Sequence, residues 1–302
     1  PLLSQDQTWQ WQVQALAEHG YVVMYADLSR MPGDDTADAT DWLLSTPSDP
    51  TPHAEGEFNP WWERLDRTRL GMAGTIGGPG APSQTLAHAD ERFDAVVSND
   101  GPTASAVEAG PPRIPQLAFV RDFVVRELEG LVEPPPPAKP EPNRGGDQIF
   151  DVLRAARIDA MQVTLRSMTH SDSTGTVCTH PGTITLQPPG CTLHTEPVMT
   201  YYMLAWFDRY LKGSTDALDR LTRSGTDTFD GYADVYAIST GRFDPVRAAE
   251  EADIEAGNVP ITVGGQSIRN RLSFWFPSRY VFHDENGDEV SYCGDMRAGC
   301  PD

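Results

Sequence analysis

Short β-branched and aromatic runs alternate with amphipathic stretches along this chain, and glycines sit at the junctions; this constrains the fold more than any other feature. Residues 8–19 (TWQWQVQALAEH) predict a helix with Trp9, Val13, Leu16 and Ala17 on one face, stopped by Gly20. Residues 21–29 (YVVMYADLS) predict a buried strand, so that helix, glycine and strand read as one crossover of a parallel sheet. Further strands are expected at residues 69–74 (RLGMAG), 93–99 (FDAVVSN), 115–120 (PQLAFV) and 160–166 (AMQVTLR). Helices are expected at residues 61–67, weakly at 83–89, at 148–157, and most strongly at 198–211 (VMTYYMLAWFDRYL), which Lys212-Gly213 closes. The fold class that follows is α/β, a doubly wound and mostly parallel sheet.

Two long connections interrupt the alternation. Residues 31–60 form a polar loop with one helical turn around Trp42 to Leu44, and residues 133–146 (EPPPPAKPEPNRGG) read as an exposed polyproline-like excursion. After residue 255 the pattern becomes antiparallel. In RYVFHDENGDEVSYC the pair Asn286-Gly287 marks a hairpin turn between alternating strands. The expected organisation is an α/β domain over residues 1–255 and a small antiparallel β appendage over 256–302.

The 302 residues carry a net charge of −21, from 44 acidic and 23 basic side chains, and only Lys139 and Lys212 are lysines. Phosphate backbones need a basic face, so nucleic acid is excluded as a partner. The scattered acids suit a highly hydrated surface, as in a salt-adapted or secreted protein. No run approaches the ~18 apolar residues of a membrane span. No signal-peptide pattern opens the chain, so a targeting segment is expected to lie outside this sequence. Four cysteines allow three connectivities. Closeness in sequence favours Cys178 with Cys191 and Cys293 with Cys300, two disulfides of an oxidising, extracellular compartment. None has the spacing of a zinc site. Asp284, Asn286 and Asp288 alternate like calcium ligands but lack the loop and distal glutamate of an EF-hand, so a charged hairpin tip is the expectation. The chain gives no expectation of a metal or cofactor, and oligomeric state leaves no sequence signature.

The stretch RLGMAGTIGGPG at residues 69–80 ends an apolar run in glycines, the pattern of a sharp strand-to-helix turn. It is not a phosphate loop, because no Gly-Lys-Ser/Thr follows and a proline interrupts it. Taken with FDAVVSNDG, PQLAFVRDF, MQVTLRSMTHSD and YYMLAWFDRYLKG, it resembles the α/β-hydrolase superfamily. The likeness is to secreted esterase and polyester-hydrolase-like members of the dienelactone-hydrolase-related branch, and it covers roughly residues 8–215. Only residues 1–7 precede the expected first helix, so the chain resembles a truncated member without the fold's first strands.

That resemblance implies acyl transfer from a small-molecule or polymeric ester by a nucleophile, a base and an orienting carboxylate. The base is His170, just beyond the strand MQVTLR, with His180 and His194 as weaker candidates. The acid is Asp122, after PQLAFVR, with Asp100 next; Asp172 is too near the histidine in sequence. Two registers of the turn stay open for the nucleophile. Without a gap, Ile76 occupies the position where the family keeps serine. With the turn one residue short, Gly74-Thr75-Ile76-Gly77 presents Thr75, whose extra methyl restricts χ1 in a tight elbow. Ile76 and Gly77 then belong to the elbow and its oxyanion-binding amides. Ser83 is not at a strand-to-helix turn. The alternative is a hydrolase-fold protein without catalysis, acting in binding or structure. The aromatics of residues 201–210 recur at helical spacing and read as core. Trp9, Trp42, Trp61 and Trp62 are expected in or near rim loops, where they could line a cleft.

Overall fold

Four short runs rich in apolar residues pair in parallel and set the frame: β1 (Leu70–Thr75), β2 (Phe93–Asn99), β3 (Gln116–Arg121) and β4 (Ala160–Leu165). They come from a computed structural model that describes residues 10–24, 35–52, 55–75, 87–99, 112–121, 145–165, 195–222, 262–263, 266–268, 272–273 and 276–300. Every residue of β4 is buried, and so is every residue of β2 except Asp94. Burial on both faces is what a parallel strand covered by helices requires. Asp94 has its own task, since its Oδ2 accepts the Leu70 amide at 2.9 Å and ties the start of β1 to β2.

Helices α1 (Gln10–Glu18) and α4 (Thr195–Lys212) cover one face. There Val198, Met199, Tyr202, Met203, Trp206 and Phe207 pack on Ala95, Val97, Leu117, Phe119, Met161, Val163 and Leu165. Each such side chain contributes about 1.5–3 kcal/mol of burial, which makes α4 the main anchor of the sheet. Gly213 closes it with φ 66° while Ser214 N donates to Asp208 O, a left-handed cap that glycine adopts without strain. The other face receives α3 (Gly145–Ala155), through Ile149, Phe150 and Leu153 against Ala160 and Val281. Beside it Ala87 packs with Met72, Phe93, Val96 and Ile114. The short α5 (Ala217–Thr222) lies against α4.

The hairpin of β7 (Arg279–His283) and β8 (Glu289–Cys293) forms around Asn286-Gly287 as its sequence predicts. Gly287 takes φ 78° and its amide donates to Asp284 O at 3.0 Å. The Asp284 carboxylate accepts from the amides of Asp288 and Asn286, both at 2.9 Å, and these bonds hold its pKa below the usual carboxylate range. The alternating Asp284, Asn286 and Asp288 therefore shape a turn. β7 pairs antiparallel with β4, giving one six-stranded sheet in the order β1-β2-β3-β4-β7-β8. The cause is the exposed edge of β4, which a further strand covers. Cys293 and Cys300 form the expected disulfide just past β8. A separate two-stranded ladder joins β5 (Thr262–Val263) and β6 (Gln266–Ser267). The expected boundary at 255/256, most of the proline-rich excursion, and Cys178 and Cys191 lie outside the described residues.

Three local expectations change. Residues 21–24 belong to no ladder; Tyr21 instead donates to Asp208 at 2.7 Å and Val22 is exposed, so this part of the apolar run lies beside α4 outside the sheet. The rest of that run lies outside the described residues. The helical turn at Trp42 to Leu44 is a full helix, α2 (Asp35–Leu44), while the expected helix at 61–67 shrinks to a 3₁₀ turn at Trp62–Arg64. Asn59 sets that turn, its Oδ1 accepting the Trp61 amide and its Nδ2 donating to Leu43 O. Finally, α1 faces the core with Trp11, Ala15 and Leu16, and Ala17 is exposed.

Candidate functional site

All four parallel strands run the same way, so Thr75, Asn99, Arg121 and Leu165 close them at one edge. In open α/β sheets this carboxyl edge is where ligands bind. Thr75 is the last residue of β1 and pairs with Asn99, the last residue of β2. Gly74 lies one rung inside, paired with Ser98, so it is a strand residue and does not itself turn the chain. Arg121 pairs with Leu165, and Asp122 and His170 follow these two strand ends by one and five residues. Ile76, Gly77, Asp100, Asp122, His170, His180 and His194 lie outside the described residues.

Register gives the edge a step. Ser98 pairs with Ala118 and Phe119 with Val163, which puts Thr75 and Asn99 level with Phe119. β3 and β4 therefore continue two residues higher, roughly 6–7 Å at the rise of a strand. Laterally, β1 and β3 are two strand spacings apart, about 10 Å, whereas β3 and β4 are neighbours.

Asn99 is fully buried, and among the described residues neither its Nδ2 nor its Oδ1 has a hydrogen-bond partner. Sequence reasoning passed over it. The signal was available: asparagine is disfavoured in strands, yet here it closes the apolar run FDAVVS. Alternation places it on the α4 face with Ala95 and Val97, because Ser98 on the opposite face meets Gln116 Nε2 at 3.5 Å.

Two other histidines are well placed structurally, and neither serves this edge. His88 accepts the Arg113 amide at Nδ1 (3.1 Å), which leaves Nε2–H to donate to Gln116 Oε1 (3.0 Å). Burial holds its pKa below the ordinary histidine value, so it is a neutral staple for the approach to β3. His283 meets Asp159 at 3.1 Å through Nδ1 and at 2.7 Å through its backbone amide. Asp159 also accepts from Tyr210 OH at 2.5 Å and contacts Arg209 at 3.4 Å. This acid–histidine pair sits just before β4, at the opposite edge from Thr75, and fastens the hairpin to the sheet.

Trp42, Trp61 and Trp62 are likewise displaced from the rim. Trp61 and Trp62 precede β1 at the amino edge, in a segment tied to the end of α2 by Asn59 to Leu43 O and Arg67 to Leu44 O. Arg92, just before β2, pairs with Asp41 of α2 at 2.6 Å. Trp42 therefore belongs to that side too, while Trp9 lies outside the described residues. The aromatics of α4 do pack as core: Tyr202, Trp206 and Phe207 are buried, and Trp206 meets Tyr210 and Phe282 at 4.7 and 6.1 Å. Among the described residues no His/Cys/Asp/Glu group could hold a metal, and no helix is long and apolar enough to cross a membrane.

With this geometry in hand, no family model matches the chain and no curated protein matches it either.

Proposed function

We propose that the chain is a carboxylic-ester hydrolase of the α/β-hydrolase type, working at the carboxyl edge of its parallel strands through Thr75, His170 and Asp122. One observation carries this reading: Thr75 ends β1, and β3 and β4 stop one and five residues before Asp122 and His170 at that same edge. A five-residue segment can extend to ~17 Å, enough to cross from β4 toward β1. Thr75 Oγ attacks the ester carbonyl carbon while His170 takes its proton, and Asp122 orients the imidazole. The negative oxygen of the tetrahedral intermediate is met by amides of the turn, that of Ile76 first. Collapse expels the alcohol, which receives the proton from His170. Water then repeats the sequence on the acyl-threonine and releases the acid. The Cys293–Cys300 disulfide supports an oxidising, extracellular setting for this chemistry.

A second reading, a hydrolase-type scaffold that binds without catalysis, has its own support. Thr75 is still paired in the ladder with Asn99, so the first residue beyond the strand is Ile76, which has no hydroxyl. Turnover of a short-chain nitrophenyl ester separates the two. The hydrolase reading expects wild-type turnover that Thr75→Val lowers on the order of 10³-fold. Equal rates for wild type and Thr75→Val, at the level of buffer, favour the second reading. Ile76→Ser that gains no activity adds to it.

A further inference from the structure

A buried carboxamide with neither polar atom bonded is uncommon, because each such group normally finds a partner in the fold. Among the described residues Asn99 is in this position, on the last rung of β2, beside Thr75 and on the face that α4 covers. The orientation of α4 adds an independent element. A methyl placed on Gly71 at the start of β1 would stand 2.7 Å from Phe207 Cε1, and Arg69 Nη1 donates to Leu211 O at 3.0 Å. The C-terminal end of α4 is thus at the amino edge of the sheet. The run from Phe207 back to Val198 rises roughly 13 Å along the helix, and that from Gly71 to Thr75 rises roughly 13 Å along the strand. The first turn of α4 therefore comes level with Thr75 and Asn99. Amides at a helix start point outward and carry the positive end of the helix dipole, which favours a carbonyl or carboxylate oxygen.

We propose that Asn99 and the first turn of α4 form the acyl-group subsite of this edge, selective for acyl groups that carry a hydroxyl next to the carbonyl. The donor and acceptor inventory leads there. Asn99 Nδ2 can donate to a carbonyl oxygen that also faces the helix start, while Oδ1 needs a donor from the same ligand. A plain alkyl ester offers only acceptors and leaves Oδ1 unpaired; a hydroxyacyl group satisfies both atoms. The inference deepens the ester-hydrolase reading and rests on it for the substrate class, but its test does not need turnover.

The probes are 3-hydroxybutan-2-one, which carries a hydroxyl next to its carbonyl, and butan-2-one, which has no donor; neither can be hydrolysed, and both are titrated calorimetrically into the full chain and into Asn99→Leu. Wild type is expected to bind the hydroxyketone roughly tenfold tighter, since a site built around a hydrogen bond rejects the analogue lacking it. Asn99→Leu is expected to bind both probes alike and to melt no lower than wild type. In labelled wild-type protein the Asn99 side-chain amide resonances should move with the hydroxyketone and stay still with butan-2-one. Equal binding by wild type, a preference that survives in Asn99→Leu, resonances that do not move, or a variant that melts several degrees lower would each overturn the subsite. Hydroxyketone preference without ester turnover keeps the subsite and removes the hydrolase reading. Ester turnover without the preference does the reverse.

Discussion

His88 shows how a single side chain ties stability to pH in this chain. Its Nδ1 accepts a backbone amide and its ring is buried, so the neutral form is the one that fits. Its folded pKa lies below the ordinary value of 6.5, so the unfolded chain takes up the proton first as pH falls. Its contribution is therefore fully present above about pH 6.5 and is lost progressively below it. Denaturant melts across pH 4.5 to 8 should show that loss in wild type, and His88→Leu should flatten this component while costing about 1–3 kcal/mol at pH 8. Arg157 offers a change of opposite sign. It holds φ 59° just past α3, where Ile158 N bonds back to Leu153 O. A left-handed residue with a Cβ costs about 1 kcal/mol relative to glycine, so Arg157→Gly should raise stability by about that much in the same melts.

At the scale of elements, the tightest junction is that of β1 with α4. A Cβ on Gly71 would meet Phe207 Cε1 at 2.7 Å and Leu211 Cδ1 at 2.8 Å, both in a packed face. Gly71→Val should cost about 1–3 kcal/mol by overpacking; by contrast Gly74, with nothing among the described residues within 4 Å of the same atom, should accept alanine with little change in melting temperature. The elements most legible in the sequence were those whose signal is local. The runs FDAVVSN, QLAFVR and AMQVTL are strands because continuous burial selects β-branched and aromatic residues, and Asn286-Gly287 announces its own turn. What stayed hidden depends on distant partners. The hairpin joins β4 through pairing that no spacing encodes, Tyr21 is drawn to Asp208, and Asn59 fixes a turn by bonding to the end of α2. For the site, the strand ends before Asp122 and His170 were readable as ends of apolar runs, and Thr75 as the last residue before the glycines. That the Asn99 amide has no partner among the described residues was not, because only three-dimensional packing shows it.

For the whole molecule, charge and the disulfide set the response to solvent. A net charge of −21 makes the folded chain repel itself, and salt screens that repulsion within ~10 Å at 0.1 M. Raising sodium chloride from 0.05 to 0.5 M should therefore increase the melting temperature, a gain that a balanced-charge protein would not show. The Cys293–Cys300 loop spans a sequence separation of 7 at the end of the sheet, and closing a loop of that size stabilises by about 2 kcal/mol. The sheet itself brings the strand ends before the proposed base and acid to the edge that Thr75 closes, and the account of function depends on whether that edge holds a working nucleophile. The most direct measurement is covalent: the intact chain is treated with a fluorophosphonate and the modified residue is identified by peptide mass mapping. The account predicts one phosphonyl group on Thr75, absent in Thr75→Val and in His170→Ala. An unlabelled chain, or a label on any other residue, contradicts it.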